Sequence, residues 1–154
     1  MDCLFRQVND KRKDMDQEKR EQEAILETNC LLDRIFDKAS REEFSEIHFD
    51  PFETELRIRY RKEGDLVDYL TLSTDDVGAF DLPFKAVAEL ITTRLKEIGK
   101  LDVRETRLPQ DGRISLSFPH LKRPRDLVIS TSPTAWVEKI FLRVLGPGTP
   151  FINY

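Results

Sequence analysis

Hydrophobic positions first recur with a helical period at Ile25, Leu32, Ile35, Phe36 and Ala39. That spacing predicts an amphipathic helix with one core-facing stripe, ending near Ser40. The period then changes to two. Ile47, Phe49 and Pro51 alternate with polar residues, and so do Leu56, Ile58 and Tyr60, with Arg57, Arg59 and Arg61 on the opposite side. Lys62 to Asp65 reads as a hairpin turn in which Gly64 can take a positive φ. Leu66, Tyr69 and Leu70 belong to the returning strand. A loop, "STDDVGAFDLP", leads to a second helix over about Pro83 to Lys100, with Asp81 as its cap and Pro83 in its first turn. Ala86, Leu90, Ile91, Leu95 and Ile98 form the apolar face of this helix, and Gly99 ends it. Three further alternating runs follow, "GRISLSF", "RDLVIST" and "EKIFLRVL".

The order is therefore helix, three strands, helix, three strands. A parallel crossover needs a dozen or more linking residues, so connections this short favour antiparallel pairing. The expected class is α+β, one antiparallel sheet of about six strands with helices packed on it. Ahead of it, Asp10 to Glu23 reads "DKRKDMDQEKREQE", with charges of both signs and Met15 as its only apolar residue. Pairs such as Asp16 with Arg20 support an exposed helix. Residues 1–24 are thus expected to be a charged helical extension, either a solvated arm or a docking arm. Residues 25–145 are the folded domain, and 146–154 are a tail.

Composition narrows the function classes. The chain has 154 residues, enough for one domain, with 39% hydrophobic and 35% charged residues. Its formal net charge of −4 gives no electrostatic basis for nucleic-acid binding. Cys3 and Cys30 lie far apart and form neither a disulfide framework nor a metal pattern. The N-terminus lacks the apolar core of a secretory signal, and no apolar run reaches the roughly 20 residues that span a bilayer. These features lead us to expect a cytoplasmic protein without membrane insertion. His48 and His120 have no second His or Cys at ligand spacing, so no metal site is expected. No nucleophile motif such as G-x-S-x-G is present.

One short stretch stands out, "RLPQDGRI" from Arg107 to Ile114. Pro109 fixes φ, Asp111 can bond back to the local backbone, and Gly112 permits a reversal into a strand starting at Arg113. On this reading Arg107 and Arg113 leave the turn as exposed cations.

Four stretches, in order, resemble the N-terminal, PAS-like subdomain of the GspE/PilB family of type II secretion and type IV pilus assembly ATPases. They are "SEIHFDPFETELRIRYRKEGDL", "TTRLKEIGKLDVRETRLPQDGRISL", "RDLVISTSPT" and "EKIFLRVL". The resemblance covers about Ile25 to Leu145. It implies a PAS-like subdomain that performs no chemistry itself and sits on the catalytic domain of a neighbouring subunit. It also implies arginines that approach nucleotide held between subunits, a contact in trans rather than a resident cofactor. One such position is kept as Arg143; the other, arginine in the family's "DLRVST", is Val128 here. The family's His-Gly before Glu-Lys is replaced by Trp136 and Val137. The G-x-x-x-x-G-K-[ST] loop that cradles phosphates is absent: Gly99-Lys100 is followed by Leu101.

The leading expectation is a non-catalytic interaction module that docks on a protein partner, an ATPase domain or a second copy of itself. Arg107, Gln110, Asp111, Arg113 and Trp136 are the candidate interface residues, Arg143 the candidate nucleotide-facing residue, and Arg57, Arg59 and Arg61 a stripe for an anion or acidic partner. Two alternatives stay open: a nucleotide or cyclic-dinucleotide sensor, and a fragment of a complete hexameric secretion ATPase.

Overall fold

The computed structural model describes residues 17–73 and 82–145. Helix α1 (Gln17–Arg41) is followed by strands β1 (Glu46–Pro51), β2 (Glu55–Lys62) and β3 (Asp65–Ser73). Helix α2 (Phe84–Ile98) precedes β4 (Gln110–Leu116), β5 (Arg125–Ser132) and β6 (Lys139–Val144). The strands form a single sheet in the order β3-β2-β1-β6-β5-β4, and every neighbouring pair is antiparallel. The α+β class and six-stranded sheet expected from the sequence are the observed ones. The expected pairing of Asp16, the cap at Asp81 and the tail from 146 lie outside the described residues.

Strand alternation decides which side of the sheet is covered. Ile47, Phe49, Leu56, Ile58, Tyr60, Ile114, Leu127, Ile129, Ile140 and Leu142 are buried in one cluster with Leu31, Leu32, Ile35 and Phe36 of α1 and Val87, Ile91 and Leu95 of α2. Both helices therefore lie on the same face. Because successive strand side chains point to opposite faces, the intervening residues form a second face, and neither described helix lies over it. Tyr60 ties sheet to helix: its hydroxyl donates to the Ile35 carbonyl at 3.2 Å, and its ring stacks on Phe44 at 4.0 Å. Arg94 links the helices by donating to Asn29 Oδ1 at 2.7 Å.

Several local expectations are corrected. Ile25 does not join the stripe; it is exposed, and Ala24, Thr28 and Leu31 carry the buried side of α1 instead. α1 is continuous from Gln17, so it crosses the change in composition near residue 24. On α2 the buried face is Val87, Ala88, Ile91, Leu95 and Lys96, with Ala86 at its margin. Pro83 sits just before the first turn, with ψ 149°. Cys30 is disulfide-bonded, which the wide separation of the cysteines along the chain did not foretell.

The two expected turn glycines differ in kind. Gly64 has φ +88° and Glu63 φ 52°, so the two-residue β2–β3 connection has the positive φ pair of a type I′ hairpin. Gly112, by contrast, lies inside β4 and makes no reversal. Its value is the room it leaves: a Cβ there would sit 2.6 Å from the Gly99 carbonyl oxygen and 2.7 Å from Leu101 Cδ2. Gly99 ends α2 with an ordinary φ of −80°, and a Cβ on it would lie 2.7 Å from Ile129 Cγ2. The left-handed residue is Lys100, φ 57°. Leu101 N–H donates to the Lys96 carbonyl and Lys100 N–H to that of Glu97, the paired bonds of a Schellman ending. Glycine is used at 99 and 112 for close approach of helix end to strand.

Gly112→Ala should therefore be destabilising by about 1–3 kcal/mol, the usual cost of overpacking against a fixed neighbour. Urea unfolding should show a lowered midpoint with an unchanged slope. A wild-type midpoint would refute the close-approach role.

Candidate functional site

Strand register sorts the candidate residues onto two separate surfaces. The helix-free face carries Arg57, Arg59, Arg61, Asp111, Arg113 and Arg143. Across it runs one row, Arg61–Glu46–Arg143–Val128–Arg113, read strand to strand. The adjacent row is Arg59–His48–Phe141–Ser130–Asp111. Arg107, Gln110 and Trp136 are not part of this face.

The arginine stripe on β2 is neutralised within the fold. Arg57 bonds Glu55 at 2.8 Å, Arg61 bonds Glu46 at 2.5 Å, and Arg59 bonds Asp50. Lys139 also reaches Asp50, at 3.3 Å. Burial of Asp50 opposes its ionisation, but hydrogen bonds from Arg59 and Lys139, with their charges, outweigh it and hold the carboxyl below its ordinary range. Burial likewise opposes ionisation of Glu46, and Arg61 and His48 reverse the balance. Of the acids beside the stripe in sequence, Glu53, Glu55 and Glu63, only Glu55 serves; the other two partners come across from β1.

Arg143 is exposed, with its guanidinium 5.3 Å from the centroid of Phe141. Glu46 opposite it is engaged by Arg61 and His48. Val128 separates Arg143 from Arg113 in the row. Two strand spacings put these two backbones about 10 Å apart. His48 packs edge-on against Phe141, and His120 lies 2.9 Å from Ser40 Oγ. Among the described residues no group of three or more His, Cys, Asp or Glu side chains could hold a metal.

On the helix side, Gln110 organises the connection between α2 and β4. Its Oε1 accepts from Asp102 N at 2.8 Å, and its Nε2 donates to the carbonyls of Asp102 and Glu105. Glu105 Oε1 accepts from the Arg107 and Leu108 amides, which leaves the Arg107 and Leu108 side chains exposed. Asp111 accepts from Ser130 rather than from its own backbone. The turn expected at Pro109 to Gly112 comes earlier: the bend precedes Pro109, β4 begins at Gln110, and Gln110 braces the bend from within.

The residues that sequence reasoning missed are Lys96 and Glu138. Lys96 is 1% exposed and Glu138 6%. Lys96 Nζ donates to Glu138 Oε1 at 2.7 Å and to the Glu105 carbonyl at 2.5 Å. This ion pair joins α2, the following loop and the start of β6. In sequence, Lys96 looks like any helical lysine. Its weak signal was a place two turns after buried Ala88, at the margin of the apolar stripe.

Removing one partner of a buried pair leaves an uncompensated charge and costs about 3–5 kcal/mol, whereas replacing both by apolar groups is often near neutral. Lys96→Met should be destabilising on that scale, and Lys96→Met with Glu138→Leu should recover most of the loss in urea unfolding. Additive losses would refute the coupling. Asp50 gives a pH test. An unfolded aspartate titrates near pH ~3.9; its native pKa is lower, so its contribution is full above that value and is lost as pH falls through the native pKa. The stability gap between wild type and Asp50→Asn should shrink between about pH 4 and the native pKa. A gap independent of pH would refute it.

No helix among the described residues is long and apolar enough to cross a membrane. The sequence profile described as type II/IV secretion system protein matches residues 19–154. The type II secretion system protein HxcR of Pseudomonas aeruginosa is 37% identical over 75% of this chain and 22% of its own length. The type II secretion system ATPase E of Vibrio cholerae is 35% identical over 75% of the chain and 20% of its own. The type IV pilus assembly ATPase PilB of Acinetobacter baylyi is 33% identical over 79% and 19%. The chain thus spans about a fifth of the length of these relatives. With a profile match over most of its residues and the motifs in their expected order, the chain belongs to the type II/IV secretion system protein family.

Proposed function

We propose that this chain is a non-catalytic docking module of a secretion or pilus-assembly machine, seated on the ATPase domain of a partner on the cytoplasmic side. The observation that carries this reading is the ordered sheet face over which neither described helix lies. Six strands present a fixed array of charges there, most of them already paired within the fold. Side chains held in such pairs lose little freedom on contact with a partner, which lowers the cost of association. The family relation makes an ATPase domain the natural partner, and the 154 residues contain no G-x-x-x-x-G-K-[ST] loop to hold nucleotide phosphates in this chain. Arg143, on the Glu46–Val128 row, is the residue we assign to contact with nucleotide in trans.

The internal pairing of Arg57, Arg59 and Arg61 argues against the sensor reading. An anionic ligand would have to displace three carboxylates that already satisfy those guanidiniums.

The test uses the full chain with the purified catalytic domain of a type II secretion ATPase. The chain alone should not hydrolyse ATP and should give no calorimetric heat with ATP. It should bind the ATPase domain, and Arg143→Glu should weaken that binding at least tenfold, the scale of an interface hot spot. Turnover by the chain alone, or an Arg143→Glu variant that binds like wild type, would overturn the proposal. Micromolar ATP binding by the isolated chain would establish the sensor reading in its place.

A further inference from the structure

On the opposite side of the sheet from Arg143, two hollows meet at Trp136. The larger, about 410 Å³, lies between α2 and the loops on either side of it in space; Thr92, Thr93, Thr106 and Glu138 are among its lining residues. The smaller, about 140 Å³, is walled by Phe52, Phe84, Ala88 and Ala135. Lys85, Trp136 and Val137 line both, so they form one groove with Trp136 at its waist.

Three observations say what this groove takes. First, three of the exposed large apolar residues converge on it: Trp136 at 48%, Phe52 at 41% and Val103 at 39%. A clustered apolar surface with a tryptophan at its centre is the usual composition of a protein-binding hot spot. Second, the charge balance is acidic. Glu53, Glu89 and Glu138 line the groove against Lys85 and Lys96; Lys96 and Glu138 neutralise each other, which leaves Glu53 and Glu89 against Lys85. Third, Glu138 Oε2 is buried and has no hydrogen-bond partner among the described residues. A buried carboxylate oxygen without a donor calls for one. Trp136 is held for contact by its own loop: its amide donates to Thr134 Oγ1 at 3.1 Å, and that hydroxyl donates to the Val137 carbonyl.

We propose that the groove around Trp136 docks an extended segment of a partner protein carrying an apolar side chain next to an arginine or lysine. The apolar side chain fills the hollow beside Phe52 and Phe84. The cation crosses the Trp136 ring, a favourable cation–π placement, and enters the threonine-lined hollow toward Glu138. This deepens the docking reading and rests on it only for the existence of a protein partner.

Trp136 is the single tryptophan of the chain, so intrinsic fluorescence reports on this groove alone. The experiment selects displayed heptapeptides on the full chain and titrates the chosen peptide, labelled for anisotropy. Selected sequences should pair an apolar residue with Lys or Arg, and their binding should shift Trp136 emission. Trp136→Ala and Glu89→Lys should each weaken binding at least tenfold and threefold respectively. Both positions are exposed, and circular dichroism checks the fold of each variant. No selection, selection of acidic peptides, or binding indifferent to Trp136→Ala overturns the proposal. Its failure is separable from that of the docking reading. Loss of peptide binding with intact capture of the ATPase domain sinks the groove alone; peptide capture without ATPase-domain binding sinks the docking partner alone.

Discussion

Both described helices lie on one face of the six-stranded sheet, and that one-sided packing organises the molecule. The core forms where α1 and α2 lie on the alternate residues of all the central strands. Hydrophobic burial is the dominant favourable term in folding and has no direction of its own. The direction here comes from the pleat, which sends Ile47, Ile58, Ile129 and Leu142 to one side and His48, Arg59, Ser130 and Phe141 to the other. The uncovered side must be stable in water. It meets that need with cross-strand ion pairs and with His48 and Arg143 packed on the Phe141 ring.

Close approach is the second consequence. α2 has to descend onto β4 and β5 at its C-terminal end, and the contact is made backbone to backbone through Gly99 and Gly112. The descent carries Lys96 under the α2–β4 loop, where the Glu105 carbonyl and the Glu138 carboxylate receive it. Gln110 then braces the same loop from the strand side. A segment that looks like an isolated surface turn in sequence is therefore fastened at both ends to the core.

Period-two and period-3.6 patterns are local properties, which is why the eight elements and the class of the fold were legible in the chain. Partners brought together by tertiary register were not. The acids that neutralise Arg59 and Arg61 come from β1, and nothing nearer than the register of β1 against β2 names them. Gly112 was legible as a special position but not for its reason: φ freedom and absence of a Cβ give the same letter. Tyr69 shows a further limit. The β2–β3 register shifts between Ile58 and Arg59, so simple alternation along β3 breaks where the bulge inserts a residue. Of the candidate site, the open-face arginines were visible as a stripe, whereas the groove was not, because Phe52, Thr92, Thr106 and Trp136 meet only through the fold.

The two departures from the family motifs lie on opposite faces, and their physics points in opposite directions. Val128 takes a cation out of the middle of a charged row, leaving Arg113 and Arg143 on either side of an apolar gap. Long-range attraction for an anion is weaker where a row of like charges is interrupted, so Val128 limits the electrostatic pull of the open face. Trp136 does the reverse on the helix side. It places a large, half-exposed ring on that surface, and a buried aromatic anchor is among the strongest single contributors to a protein interface. Phosphate contact needs the first property and stable docking the second. The charged open face and the exposed ring on the helix side are thus two separate surfaces carried by one core.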